Sequence, residues 1–188
     1  MVDTLLKYRP QSQTLAASLK NSLNLPSSFG LITLHRASNV DSPETLASLL
    51  QSLAQVSQEI PLLLPLHPRT AQALERHNVR LPAAIRSCDA LSYLEFLALL
   101  GEASLVFTDS GGVQEESSIL GVPCLTLRTT TERPVTCRLG TNRLIGLKRD
   151  DIVNGAKDAL RGAWQPARIP LWDGRAAPRI AAVLLAGV

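Results

Sequence analysis

Aromatic residues are scarce. They make up 4% of the 188 residues, so any core must be packed from Leu, Val, Ile and Ala. Cysteine is scarcer still. Cys88, Cys124 and Cys137 form an odd set without regular spacing, which argues against a disulfide framework and against a zinc site. Cys124 lies in the apolar run from Val122 to Leu127, the setting of a buried thiol. No apolar run reaches the roughly 18 residues that a membrane span needs. The stretch from Met1 to Pro10 carries Asp3, Lys7 and Arg9 and lacks the apolar segment of a signal peptide. Lys and Arg are not clustered, so no nucleic-acid footprint stands out. The net charge is a mild +3, compatible with a phosphorylated small molecule but not diagnostic of one. Walker A and G-x-G-x-x-G patterns are both missing, which removes the usual ATP and NAD signatures. Together these absences describe a reduced, cytoplasmic protein with neither a membrane nor a nucleic-acid partner.

What is present is an alternation of short apolar runs with longer amphipathic stretches, within the length of one domain. Helices are expected over Leu5 to Leu23, Asp41 to Ile60, Arg69 to His77, Ser92 to Gly101, Gly112 to Leu120, Ile152 to Arg161 and Arg175 to Ala186. Strands are expected over Gly30 to His35, Pro61 to Leu66, Ala84 to Cys88, Ser104 to Thr108 and Val122 to Leu127. Asp41 or Ser42 can cap the second helix, with Pro43 in its first turn and Glu44 at the positive end of its dipole. Gly101 and Gly121 are expected to stop helices. Trp164 to Gly174 reads as irregular chain. Buried, non-alternating strands between helices predict an α/β fold: a Rossmann-like parallel sheet with helices on both faces. Ligands of such sheets bind beyond the carboxyl ends of the strands, so the loops after His35, Leu66, Asp109 and Leu127 are where chemistry is sought.

Four segments occupy those loops. Thr108-Asp109-Ser110-Gly111-Gly112-Val113-Gln114-Glu115-Glu116 joins a strand to a helix through two glycines. Backbone can approach a ligand closely there, and unpaired amides at a helix start attract phosphate. Ser110 adds a hydroxyl, and Glu116, one turn on, could accept from both hydroxyls of a ribose. The same residues also read as a tight turn with a Ser or Asp cap and a solvated Glu-Glu pair. Arg128-Thr129-Thr130-Thr131-Glu132-Arg133-Pro134 suits phosphate contact, or equally a loop in which Thr131 caps a helix with Pro134 in its first turn. His35-Arg36 and His67-Pro68-Arg69 each end a strand. A histidine there can stabilise charge developing on a phosphate, or can simply be structural. His77 is assigned no role. A Ser-His-acid hydrolase would need a G-x-S-x-G elbow, whereas Ser110 sits in D-S-G-G. His35 and His67 lack the close spacing of metal ligands.

Taken in order, LITLHRASNVDSPETL, PLLLPLHPRT, LSYLEFLALLGEASLVFTDSGGVQEESSILGVPCLTLRTTTERPVT and GTNRLIG closely resemble the C-terminal domain of bacterial non-hydrolysing UDP-N-acetylglucosamine 2-epimerases. The resemblance runs over nearly the whole chain, and TDSGGVQEE followed by TTTERP is its most specific part. It implies one half of a glycosyltransferase-B-like fold, with the active site in the cleft between two Rossmann-like domains. Residues 1–188 would be the single UDP-binding C-terminal domain, without the N-terminal domain. The implied reaction interconverts UDP-GlcNAc and UDP-ManNAc by eliminating UDP and adding it back, with no cofactor and no metal. By resemblance, His35 takes the catalytic role at the diphosphate. Ser110, Gly111 and Gly112 hold the diphosphate, Glu116 binds the ribose, and Arg133 approaches the phosphate or sugar. Phe96 packs on uracil while backbone near Leu91 reads its edge. His67 lies near a loop that in some relatives helps bind a second, activating UDP-GlcNAc. The family often carries a basic residue and an acid after the His-Arg pair, where this sequence has Ala37 and Ser38, and often Glu where it has Val135. The implied partners are UDP-GlcNAc, UDP-ManNAc or UDP, an N-terminal epimerase domain, and a second copy in a homodimer. The alternative is a stand-alone module that binds UDP or a UDP-sugar without turnover.

Overall fold

The computed structural model describes residues 1–188 apart from 163, 165, 166 and 188. A long first helix, α1 (Val2–Ser22), precedes β1 (Gly30–Thr33), a short α2 (Ala37–Val40) and α3 (Pro43–Val56). Then come β2 (Leu62–Pro65), α4 (Pro68–Arg76), β3 (Ile85–Cys88), α5 (Tyr93–Glu102) and β4 (Leu105–Thr108). The rest is α6 (Gly111–Leu120), β5 (Cys124–Thr126), α7 (Pro134–Arg138), β6 (Asn142–Leu144), α8 (Arg149–Leu160) and α9 (Ala176–Leu185). The strands form one sheet in the order β3-β2-β1-β4-β5-β6, and every pairing is parallel.

Side-chain alternation along the strands divides the core into two layers. Ile32, Leu62, Leu64, Leu105, Phe107 and Leu125 face α3 and α8, packing on Leu46, Leu50, Leu53, Ile152 and Ala156. Leu31, Leu63, Val106 and Cys124 face the other way, onto Leu99 and Leu100 of α5 and Val113 of α6, with Leu19 of α1 at the margin. Both faces are therefore apolar, which is why the strands read as unbroken hydrophobic runs. Helix starts follow local chemistry. Ser42 caps α3 by accepting from the Thr45 amide, with Pro43 in the first turn. Ser92 and Glu95 form a reciprocal capping box on α5.

Two expected helix ends resolve differently. Gly121 takes the left-handed conformation at φ 77° and terminates α6. Gly101 does not stop α5, which continues to Glu102; its φ is not positive, so it gives the chain no reversal there. Neither α2 nor β6 is announced by the sequence. Four residues are too few to show helical periodicity, and β6 carries two exposed residues of three, so neither has a hydrophobic pattern. The stretch from Trp164 to Gly174 includes 165 and 166, which lie outside the described residues; Trp164 and 167–174 hold no helix or strand.

The strand order reverses direction between β1 and β4, whose ends align in register, Thr33 opposite Thr108. At such a switch point the following loops leave toward opposite faces and open a crevice between them. On the β5 side, α7 is clamped against α6 at Gly140. A Cβ there would lie 2.2 Å from Ser118 Oγ and 2.7 Å from both Ser118 Cβ and the Thr136 carbonyl. Backbone and a short side chain cannot yield as a flexible chain end would. Gly140→Ala is expected to cost about 1–3 kcal/mol in chemical denaturation, the usual range for overpacking; an unchanged midpoint would show that the clamp is soft.

Candidate functional site

The crevice is organised by a fully buried carboxylate. Asp109, just past β4, has no solvent exposure. It accepts hydrogen bonds from the backbone amides of His35 (3.0 Å) and Arg36 (2.9 Å) and from Asn39 Nδ2 (3.2 Å). His35 Nδ1 lies 2.9 Å from its other oxygen. Burial pushes its pKa up, but His35 and the two amides outweigh burial and hold the carboxyl below its ordinary range. Asn39 also donates to the Leu127 carbonyl (3.1 Å), so the loops after β1, β4 and β5 share one anchor. Arg36 Nε returns to the Asp109 carbonyl (3.2 Å).

Ser110 is the N-cap residue of α6 and makes no side-chain cap bond. The amides of the first turn, Gly111 and Gly112 included, thus have no intrahelical acceptor. Gly112 lies under Met1, whose Cε would be 2.8 Å from a Cβ at that position. Glu116 is not the solvated acid of the tight-turn reading: it is only 5% exposed. Burial raises its pKa to about 7, while the adjacent Tyr93 hydroxyl and the Met1 ammonium act the other way. Tyr93, on α5, is pushed up to about 12 by burial and by this carboxylate.

The Arg128 to Pro134 segment faces α6 from β5. Its Thr131 does not cap α7, whose N-cap residue is Arg133. Instead Thr131 accepts from the Arg133 amide (2.9 Å) and donates to Gln114 Oε1 (2.5 Å). Gln114 also accepts from Asn142 Nδ2 (3.1 Å), which ties the loop to both α6 and β6. Arg133 pairs with Glu115 (2.9 Å). Arg128 grips Glu132 with two bonds of 2.8 Å, and Arg36 approaches it at 3.5 Å. The Arg128 bonds depress the Glu132 pKa to about 2. Glu132 Oε2 also comes within 3.8 Å of a Cβ built on Gly111. A carboxylate therefore sits at the start of α6 between two guanidinium groups, in the surroundings an anion would seek.

Depressions flank these groups. Leu91 and Phe96 line an apolar slot of about 130 Å³ with Thr33, Pro65, Ala90 and His67. His35, His67, Asp41, Arg69 and Arg76 border a more polar one of about 400 Å³. The His35 and His67 rings stand 5.2 Å apart. His67 also has a structural task, because its Nδ1 accepts from the Arg69 amide at the start of α4. The fold thus gathers His35 with Ser110 and Gly111 at the switch point, and Leu91 with Phe96 beside it. Glu116 is set back beneath Met1 and Tyr93. Sequence reasoning missed Asp109, Asn39 and Tyr93 as parts of the site. All three stood in quoted segments, but only tertiary contact reveals their partnerships. Among the described residues, no cluster of three or more His, Cys, Asp or Glu could hold a metal ion, and no helix is long and apolar enough to cross a membrane.

The family model described as UDP-N-acetylglucosamine 2-epimerase matches residues 1–185. The chain belongs to this family. It is 35% identical over 190 residues to the UDP-N-acetylglucosamine 2-epimerase of Methanocaldococcus jannaschii, covering 97% of this chain and 51% of that protein. The crystal structure of that enzyme with UDP-GlcNAc and UDP superposes with a TM-score of 0.85 at 33% identity, over 99% of this chain and 53% of that one. The UDP-2,3-diacetamido-2,3-dideoxy-D-glucuronate 2-epimerase of Pseudomonas aeruginosa is 42% identical over 159 residues, 83% of this chain and 44% of that protein. An Escherichia coli ADP-heptose heptosyltransferase shares the fold alone, at a TM-score of 0.56, 14% identity, and coverage of 80% of this chain and 52% of that one. The fold is one half of a glycosyltransferase-B-like architecture, and the chain spans about half the length of the relatives it matches.

In this epimerase-family domain Glu116 leaves a mark on stability. Its carboxyl pKa is raised from 4.5 to about 7, so between those values the folded state binds more proton than the unfolded one. Stability therefore falls as pH rises through that window. The shift corresponds to a destabilisation on the order of 3 kcal/mol above pH 7. Glu116→Gln is expected to flatten stability between pH 4.5 and pH 7 and to raise it at pH 8. Denaturant midpoints measured at both ends test this; parallel wild-type and variant curves would refute a charged buried Glu116.

Proposed function

We propose that this chain is the UDP-binding half of a UDP-N-acetylglucosamine 2-epimerase, which exchanges UDP-GlcNAc and UDP-ManNAc by eliminating and re-adding UDP. The observation that carries the reading is the anion seat at the switch point: the start of α6, with Arg36 and Arg128 closing on the Glu132 carboxylate. In the proposed complex the diphosphate takes that seat. Ser110, Gly111 and Gly112 donate to it, and His35 faces the oxygen on which charge grows. Uracil enters the slot of Phe96, with Leu91 at its edge. Arg133 reaches phosphate or sugar on release from Glu115. Glu116 accepts from the ribose hydroxyls, which requires Met1 to move off Gly112. An N-terminal domain supplies the group that moves the C2 proton and the other wall of the cleft; a second copy completes the homodimer. The reduced cysteines and a nucleotide-sugar substrate fit the cytoplasm.

Two further readings have support. The chain spans about half the length of its relatives, which favours a binding module without turnover if no N-terminal half joins it. The Pseudomonas relative acts, by its name, on UDP-2,3-diacetamido-2,3-dideoxy-D-glucuronate, so the 2-acetamido group and UDP are the shared chemistry.

Calorimetric titration with UDP is expected to show weak binding, because a one-sided site buries little ligand. Glu132→Gln should tighten UDP severalfold by removing the internal anion. Glu116→Gln should weaken UDP more than its 2′-deoxy analogue, since a charge-assisted bond is worth roughly 1.5–3 kcal/mol. No binding at millimolar UDP, or a weaker Glu132→Gln complex, would overturn the seat.

Turnover is expected only in the presence of an N-terminal domain, because a base must lie within about 3 Å of the proton it removes, or reach it through one water. Product analysis with UDP-GlcNAc and with the diacetamido-glucuronate sugar, with and without a separately expressed N-terminal domain, tests this and sets the sugar preference. His35→Asn in the reconstituted enzyme should lower kcat more than it weakens UDP binding, since its partner charge grows only as UDP departs. Robust epimerisation by the 188-residue chain alone would refute the division of labour.

A further inference from the structure

Asp109 fixes one end of the His35 ring as well as the loops. The carboxylate is held independently of that ring, by the amides of His35 and Arg36 and by Asn39. Its Oδ1 faces His35 Nδ1 at 2.9 Å. An ionised carboxylate only accepts, so the nitrogen opposite it must carry hydrogen. Nε2 is then the atom left for a ligand, and the ring keeps partial access to solvent, with 36% of its side chain exposed. The other charged or titratable groups around the ring are His67 from the β2 loop, Arg36 in its own loop, and Asp41, Arg69 and Arg76 across the polar depression. None of them has a hydrogen bond to Nδ1 in the structure.

We propose that Asp109 is a positioning residue: it locks His35 in the Nδ1–H form and presents Nε2 to the departing oxygen of the nucleotide. The role in turnover rests on the proposed function; the lock itself does not. In the elimination the C1–O bond breaks and its electron pair stays on the diphosphate oxygen. The C2 proton goes to a base outside this chain; the ring, its Nδ1–H held by Asp109, takes a second proton from solvent at Nε2 as the diphosphate binds, and that Nε2–H donates to the departing oxygen. On re-addition of UDP the same hydrogen bond is released. Without the carboxylate on Nδ1 the doubly protonated ring loses its counter-charge and its fixed orientation, which is why loss of an orienting carboxylate is so costly in histidine-dependent enzymes.

The chain has three histidines, so their ring nitrogens are separable by long-range ¹H–¹⁵N correlation NMR on the ligand-free protein. Neutral wild-type His35 is expected to carry its proton on Nδ1. Asp109→Asn, whose amide can donate to that nitrogen, should move the population toward Nε2–H. Asn39→Ala cuts a loop bond to the same carboxylate but spares the ring contact, and should leave the wild-type pattern. A proton on Nε2 in wild type overturns the proposal, and that spectrum decides even if Asp109→Asn fails to fold. An unchanged pattern in folded Asp109→Asn, or an equal change in Asn39→Ala, also overturns it. In the reconstituted enzyme, Asp109→Asn should lower kcat by about 10²–10⁴-fold, with a much smaller change in KM; equal effects on both would reduce Asp109 to a loop anchor. Absence of epimerase activity would count against the proposed function and leave the tautomer result standing.

Discussion

One buried carboxylate holds the functional edge of this domain together. Removing an ionised group from water is expensive unless its lone pairs are all answered. Asp109 is answered by two backbone amides, a side-chain amide and a ring nitrogen. Those donors come from the loop after β1, whereas the carboxylate belongs to the loop after β4. The two strands already run side by side, with Thr33 and Thr108 sharing a 2.7 Å hydroxyl bond. Past their ends the backbone has no ladder, and Asp109 replaces it. Asn39 extends the link to the Leu127 carbonyl, bringing in β5. A short helix, α2, has little to stabilise it alone; here its geometry is set by where Asn39 must reach.

With that anchor in place, the electrostatics of the crevice become a matter of competition among acids. Glu115 engages Arg133, Glu132 engages Arg128 and Arg36, and Glu116 is buried. The exposed pairs are individually weak and readily exchanged. A diphosphate with more charge and more acceptor oxygens can replace a single carboxylate at the same guanidinium groups. In the proposed reading, a ligand-free site that keeps its arginines paired presents them in place without leaving bare positive charge. Arg133 pairs with Glu115, within α6, whereas Arg128 pairs with Glu132, which lies at Gly111, so Arg128 stands nearer the start of the helix.

The doubly covered sheet was legible because its signal is local. Leu62, Leu63 and Leu64 alternate between two core layers, and apolar residues on both sides of a strand imply helices on both faces. The N-cap at Ser42 and the stop at Gly121 were legible for the same reason: each acts within one turn. The failures are also physical. Gly101 resembles a stop, but a glycine ends a helix only where the chain reverses. Asn142 in β6 is held by Thr126 and Gln114, partners 16 and 28 residues away, and no pattern within Asn142–Leu144 announces them. Thr131 has the composition of a cap, yet its hydroxyl is spent on Gln114. The tight-turn reading left Glu116 solvated because polar runs usually are; it is buried instead, beside Tyr93, which is not its neighbour in sequence.

Such a domain can fold without closing its own ligand site. Both faces of the sheet are covered by helices of this chain, while α9 leaves Ile180, Val183, Leu184 and Leu185 exposed. The carboxyl edge is different. Its slots are shallow, and the side chains of Arg36 and Arg133 are partly exposed. Specific recognition of a nucleotide sugar demands that water be excluded from the charges being matched, because attraction between ions grows as the local dielectric falls. In the proposed reading this edge meets the diphosphate and the pyrimidine, but Arg36 and Arg133 keep competing with solvent. Strong discrimination at the sugar would therefore have to come from a second surface laid over Arg36, Arg128 and Glu132. That surface would raise the strength of contacts already aligned by Asp109 without having to create them.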